Sequence, residues 1–222
     1  MGNQTSAFGI NSVYRQLLTR YGFQGWWPAE SAFEMMTGAV LTQSAAWDNV
    51  AKAISNLKAA GVLSPEMFRR LDIADLARLI HPCGYYNAKA VKLKALAEWL
   101  GWYNDALTAF DERATAGLRR DLLQVHGIGP ETADSILLYA LDRPVFVIDA
   151  YTRHFFIRLG ITPARDTYGD WQELFTTRLP ADAALFNEYH ALIVRHAKES
   201  CRKQPQCQQC LFNTVCASSR AD

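Results

Sequence analysis

Residues 122–141 read LLQVHGIGPETADSILLYAL, the most informative pattern in the chain. An apolar helix end runs into the turn HGIG, and a new amphipathic helix follows with a proline at its first position and Glu131 in its first turn. This pattern predicts a helix–hairpin–helix. Gly127 and Gly129 allow turn conformations that a side chain resists, and they bare backbone N–H groups that can hold a phosphate without reading base sequence. An ordinary pair of antiparallel helices is the alternative interpretation.

Helical periodicity continues through the rest of the chain. Apolar residues recur at steps of three and four between Trp47 and Leu57 and again between Leu185 and His196. Residues 33–41 are apolar almost all round, which is typical of a helix buried in the middle of a bundle. No segment alternates as a strand, so we predict an all-α fold.

Composition bounds the class of protein. The chain has 222 residues, of which 50% are hydrophobic and 20% charged, enough for one large domain or two modest ones. A net charge of +1 gives no overall attraction to nucleic acid, so DNA binding must depend on locally placed basic groups. Residues 1–21 contain no apolar run of signal-peptide length, and no long apolar stretch follows. We expect a cytoplasmic protein with no membrane contact.

Four of the five cysteines lie in the run CRKQPQCQQCLFNTVC at the end of the chain: Cys201, Cys207, Cys210 and Cys216. Four thiolates can hold an iron–sulfur cube or a zinc ion. Structural zinc sites usually bring two C-x-x-C pairs, whereas this run has one, so the spacing favours a [4Fe–4S] cluster over zinc. Disulfides are disfavoured by the expected reducing compartment. The fifth cysteine, Cys83, is predicted to be a small buried apolar residue.

An isolated carboxylate follows the hairpin. Asp149 comes directly after the four apolar residues 145–148 and just before another predicted helix. It can cap that helix, and a cap is compatible with a catalytic role.

The order of these features resembles the endonuclease III superfamily of DNA glycosylases: hairpin, short apolar stretch, aspartate, four-cysteine loop. Residues 33–43 resemble the family's early buried helix with the glutamine-bearing loop after it, and residues 84–90, GYYNAKA, resemble its G-x-Y/F-N-x-K-A segment. The resemblance implies two helical lobes with DNA bent across the cleft between them. Residues 31–143 would form a six-helix barrel, and residues 1–30 with 144–222 a cluster lobe. We expect a monomer that binds damaged double-stranded DNA of the nucleoid.

Two departures from the family pattern bear on the reaction. Bifunctional members carry a lysine two residues after the second hairpin glycine, where its amine forms an imine with the sugar and allows strand cleavage. This chain has Glu131 there, which cannot form an imine and whose simplest role is a favourable interaction with the helix dipole. Adenine-mismatch members need a glutamate where this chain has Gly38, so that activity is disfavoured.

The remaining branch removes alkylated purines. Trp26-Trp27-Pro28, the run 41–43 and Trp47 resemble the 3-methyladenine glycosylases of this superfamily. A methylated purine that carries positive charge has a weak glycosidic bond, and an electron-rich aromatic face attracts it after base flipping. Each tryptophan alone could equally be a core residue.

The resemblance also assigns roles to individual residues. Asp149 would stabilise the cationic sugar as the base departs and orient the attacking water. Either Gln43 or Ser44 would enter the gap left by the flipped nucleotide. The hairpin at Gly127, Gly129 and Glu131 would grip phosphates. The cluster would be structural and fix a loop whose Arg202 and Lys203 face DNA, while Lys89 and Arg153 would be solvated surface charges or backbone contacts.

Two alternatives remain open from the sequence. A bifunctional glycosylase and lyase acting on oxidised pyrimidines would need some other lysine, such as Lys89, to reach the sugar. A damage-binding or redox-responsive protein would use the same fold without turnover.

Overall fold

The structure, a computed structural model, describes residues 9–220, and all regular secondary structure within that range is helical. The all-α prediction is therefore confirmed. The helices are α1 (Ile10–Tyr21), α2 (Ala32–Leu41), α3 (Trp47–Ala59), α4 (Pro65–Arg70), α5 (Ile73–Leu79), α6 (Tyr86–Gly101), α7 (Thr115–Leu122), α8 (Pro130–Ser135), α9 (Ala150–Leu159), α10 (Tyr168–Thr176) and α11 (Ala183–Glu199). No helix in the described range is long and apolar enough to cross a membrane.

The chain divides into two compact units. One consists of Trp27–Arg143, and the other of the described residues up to Trp26 together with those from Pro144 onward. The predicted cluster lobe also includes residues 1–8 and 221–222, which lie outside the described residues. The unit Trp27–Arg143 contains seven α-helices, α2 to α8, because residues 65–79 form two short helices.

Helix α2 is the centre of the unit Trp27–Arg143. Its N-cap is Ser31, whose side chain accepts a hydrogen bond from the N–H of Glu34 and so satisfies one of the first-turn donors. Eight of its ten residues are buried, as the all-round apolar pattern predicts. Helix α8 continues into a π-helical turn, Ile136–Ala140, which packs against α2. The hairpin helix is thereby fixed to the most buried element of its unit.

The other unit is built around aromatic packing between α9, α10 and α11. The rings of Phe146 and Phe175 are stacked with centroids 4.1 Å apart, and the ring of Tyr189 lies edge-on to both. The Tyr189 hydroxyl donates to the Ile10 carbonyl at 2.7 Å, which attaches α1 to α11. Residues 145–148 are all buried and belong to no helix or strand. This apolar run anchors the backbone immediately before Asp149.

Candidate functional site

Asp149 lies at the start of α9, where the chain leaves the buried run 145–148. Its Oδ1 accepts the N–H of Thr152 at 2.7 Å, so the carboxylate caps the helix as expected. Its Oδ2 lies 3.5 Å from Nε2 of His190, a buried residue of α11. The carboxylate is therefore held from two sides, and only 13% of the side chain is exposed.

The electrostatics of this pair keep the aspartate charged. Burial by itself raises the pKa of Asp149, but the neighbouring imidazole of His190 and the hydrogen bond from the Thr152 N–H outweigh it, so the pKa of Asp149 lies below its ordinary value. Trp26 places its ring edge-on to His190, with centroids 6.2 Å apart. An ionised carboxylate in a largely dry setting is suited to stabilising a developing positive charge.

The hairpin has the predicted helices α7 and α8, and they are tied by an ion pair. Arg119 donates to both oxygens of Asp134, at 2.6 and 3.1 Å, and the Asp134 side chain is fully buried. Such a two-point contact fixes the relative orientation of the helices. Glu131 lies in the first turn of α8 and is exposed.

The two hairpin glycines differ in what they require. Gly127 has φ +80°, a left-handed conformation, and a Cβ there would lie 2.3 Å from Cγ of Lys92. Gly129 is extended at φ −90°, and a Cβ there would meet nothing within 4 Å. The expectation that both positions need glycine for the turn is thus correct for Gly127 and wrong for Gly129.

The loop after α2 is fastened to this hairpin. Nε2 of Gln43 donates to the Gly127 carbonyl at 3.2 Å and to the Thr132 hydroxyl at 2.9 Å, and its Oε1 accepts from Nζ of Lys92 at 2.6 Å. The next residue, Ser44, is exposed and has a left-handed φ of +51°.

Two of the three predicted pocket tryptophans come together. Trp27 and Trp47 meet edge to face, with centroids 5.1 Å apart, and both border a cavity of about 410 Å³. Gly38 makes room for this arrangement, because a Cβ there would lie 2.9 Å from the Trp27 ring. The cavity also contacts the ion pair of Glu34 and Lys58, joined at 2.9 Å. Trp26 belongs to the other unit and contacts His190 there.

Lys89 and Arg153 are not solvated surface charges. Lys89 is 2% exposed, and its amine donates to the carbonyls of Leu41 and Cys83 at 3.0 and 2.9 Å. Burial lowers the pKa of Lys89. Arg153 forms an ion pair with Asp166, and its guanidinium lies 5.7 Å from the ring centroid of Trp171. The expected solvated surface position is therefore wrong for Lys89, and Arg153 is held by protein partners.

The four C-terminal cysteines are free thiols near one another. Cys201, Cys207 and Cys210 border a cavity of about 280 Å³, while the Cys216 thiol donates to the Arg158 carbonyl at 3.2 Å. Within residues 9–220, no three His, Cys, Asp or Glu side chains are arranged around a single metal position. The donor set fits a cluster in kind, since three of the four soft thiols border one cavity.

Three residues of interest escaped sequence reasoning. His190 contacts Asp149, which lies 41 positions away in the sequence, and Lys92 contacts Gln43, which lies 49 positions away. No local sequence pattern reveals such contacts. Tyr85 is 75% exposed with φ +45°, and an exposed aromatic ring on strained backbone is suited to stacking on a base. Gly84, directly before Tyr85, is the local sequence signal for this turn.

Comparison with known proteins defines the class. The sequence profile described as HhH-GPD superfamily base excision DNA repair protein matches residues 37–181. The chain therefore belongs to the HhH-GPD superfamily of base excision DNA repair proteins. It is 44% identical to a protein of Methanocaldococcus jannaschii provisionally named a DNA repair glycosylase, over 94% of this chain and 96% of that protein. It is 29% identical to endonuclease III of Sulfolobus acidocaldarius, over 84% and 82% of the two chains.

Solved structures agree with this assignment. The 3-methyladenine DNA glycosylase MagIII of H. pylori, bound to 1,N6-ethenoadenine, superposes with a TM-score of 0.75 and 27% identity, over 86% of this chain and 98% of that one. An endonuclease III trapped covalently on DNA has a TM-score of 0.81 at 19% identity, over 96% of each chain, which shows a shared fold.

Because Gly127 and Gly129 differ in their steric requirements, their alanine variants form a matched pair. We expect Gly127→Ala to lower the free energy of unfolding by about 1–3 kcal/mol, because it strains a left-handed position and displaces Lys92. Gly129→Ala should change it by less than about 0.5 kcal/mol, because that backbone is extended and open. Urea unfolding of both variants measures the difference. Equal losses at the two positions would contradict the steric argument.

Proposed function

We propose that this protein is a monofunctional DNA glycosylase that flips and excises alkylated purines, such as 3-methyladenine, from duplex DNA. The observation that carries the proposal is the buried, ionised carboxylate of Asp149, held by Thr152 and His190. Hydrolysis of a glycosidic bond passes through a cationic sugar, and a fixed negative charge stabilises it without reorganising during the reaction. The same carboxylate orients the attacking water.

The preference for alkylated purines rests on the aromatic cavity. Trp27 and Trp47 supply electron-rich surface beside a cavity of about 410 Å³. Such surfaces favour a cationic base over a neutral one by roughly 0.5–2 kcal/mol per partner. The relative from H. pylori, which carries the name 3-methyladenine glycosylase, supports the same substrate class. Trp26 would contribute through its contact with His190.

The proposal that the protein has no lyase activity rests on the identity of residue 131. Glu131 is an exposed carboxylate at the position where bifunctional members have the imine-forming lysine. The alternative lysine is Lys89, whose buried amine donates hydrogen bonds to two backbone carbonyls. It is therefore poorly placed for nucleophilic attack on the sugar. Both observations favour a reaction that ends with an abasic site in an intact strand.

DNA binding would be divided between the hairpin and the loop after α2. Backbone groups around Gly127, Gly129 and Glu131 would contact phosphates, which positions the duplex without reading sequence. Gln43 and Ser44 belong to the loop that would meet the gap left by the flipped base. Tyr85 would add an exposed stacking surface.

We propose a [4Fe–4S] cluster held by Cys201, Cys207, Cys210 and Cys216. When bound, the cluster would cross-link the C-terminal segment and so stabilise it. Arg158 supports this segment already, donating to the carbonyls of Arg202 and Lys203 at 2.9 and 3.4 Å. The basic side chains of Arg202 and Lys203 would then be held for DNA contact.

The monofunctional reaction makes a direct prediction about strand breakage. Duplex DNA with a single alkylated purine should lose the base and break only after added alkali, because Glu131 cannot form the imine that β-elimination needs. Glu131→Lys should add weak strand cleavage and covalent trapping by borohydride, whereas the control Glu131→Gln should add neither. Gel electrophoresis with and without alkali measures this. Alkali-independent cleavage and trapping by the wild type would refute the monofunctional assignment.

The cluster proposal predicts a brown protein. Purification without oxygen should give about four irons per chain with a broad visible absorption. Cys207→Ser should lose both colour and thermal stability, because the segment 201–216 has one fully buried large side chain, Phe212, to hold it. The control Cys83→Ser should keep its iron, since Cys83 lies in the other unit. A colourless, stably folded preparation with one zinc per chain would overturn the assignment.

A further inference from the structure

The side chain of Gln43 has little hydrogen-bonding capacity left for DNA. A carboxamide offers two N–H donors and one carbonyl oxygen. Both donors of Gln43 are used, one on the Gly127 carbonyl and one on the Thr132 hydroxyl, and its oxygen accepts a charge-assisted bond from Lys92. Insertion of this side chain into a duplex would break all three contacts.

Lys92 is fixed by the hairpin as well as by Gln43. Its aliphatic stem lies where a Cβ of residue 127 would be, with Cγ, Cδ and Cε 2.3, 2.6 and 2.8 Å from that point. The stem therefore crosses directly over Gly127, and its ammonium ends 2.6 Å from the Gln43 oxygen. The loop after α2, Lys92 and the hairpin are therefore joined by direct contacts.

The residue after Gln43 is exposed instead of being fastened to the hairpin. Ser44 is exposed and lies in the left-handed region at φ +51°, an uncommon conformation for serine. Such a conformation persists only where the surrounding structure fixes it. The three bonds of Gln43, together with the turn bond from the Ala45 N–H to the Thr42 carbonyl, supply that fixation.

We propose that Gln43 and Lys92 are positioning residues that fasten the loop to the hairpin, and that Ser44 is the side chain presented to the gap in the duplex. The part concerning Ser44 rests on the proposed function, because it assumes a flipped nucleotide. The part concerning Gln43 and Lys92 concerns the free protein. Any displacement of the hairpin on DNA would move Ser44 with it.

A double-mutant cycle in the free protein tests the fastening. Lys92→Met should lower the folding equilibrium constant about five- to tenfold, and Gln43→Met by at least that factor, because it also loses the bonds to Gly127 and Thr132. The double variant should be no less stable than Gln43→Met alone, because the bond from Lys92 is already lost there. The control Lys52→Met, at an exposed lysine of α3, should change it less than twofold. Multiplicative effects of the two variants would overturn the fastening role.

Binding to DNA tests the presentation of Ser44. Ser44→Gly should weaken binding to a duplex with an abasic-site analogue about tenfold more than binding to the intact duplex, since only the former has a gap to fill. Gln43→Met and Lys92→Met should weaken binding to both duplexes. Their combined effect on binding should be smaller than the product of their separate effects. A gap-selective loss in Gln43→Met that Lys92→Met does not share would instead make Gln43 the inserting residue. If the wild type bound neither duplex, the proposed function and the role of Ser44 would both fall, while the free-protein cycle would still decide the fastening.

Discussion

The burial of one carboxylate constrains the unit that contains α9 and α11. Burying a carboxylate costs free energy unless hydrogen bonds or an opposite charge compensate for the lost water. The Thr152 N–H donates to one oxygen of Asp149, and the His190 imidazole lies 3.5 Å from the other. The apolar run 145–148 fixes the backbone before it, and the α11 core fixes the imidazole beside it. The side chain that caps α9 is therefore also the one whose charge is proposed to assist base release.

A second constraint operates in the unit Trp27–Arg143. Because residue 127 has no side chain, the stem of Lys92 crosses the hairpin and reaches Gln43. The glycine thus serves two purposes, the left-handed turn and the passage of a lysine. The Arg119–Asp134 pair holds the helices of the same hairpin. Together these contacts join the two helices of the hairpin to the loop after α2.

Much of the fold could be read from the sequence, but side-chain partners could not. The buried helix α2, the hairpin and the cap at Asp149 follow from local rules of periodicity, turn chemistry and capping. The burial of Lys89 does not, because lysine is a surface residue unless distant carbonyls happen to meet its amine, as those of Leu41 and Cys83 do.

The same limit applies to the contacts of His190 and Lys92, which join segments far apart in the chain. The sequence also could not separate the requirements of Gly127 and Gly129, since the difference lies in φ and in the path of a neighbouring stem. The cysteine spacing indicates a cluster, yet the arrangement of the four thiols is decided by the fold of the C-terminal segment.

The identity of the base that the protein releases decides whether it is an alkylpurine glycosylase. The protein should be incubated with globally methylated duplex DNA, and the free bases identified by mass spectrometry. The expected product is 3-methyladenine or a related alkylated purine, released at least about a hundredfold more slowly by Asp149→Asn, which keeps the helix cap but loses the charge. Release of no base from methylated DNA, or equal rates for the wild type and Asp149→Asn, would contradict it.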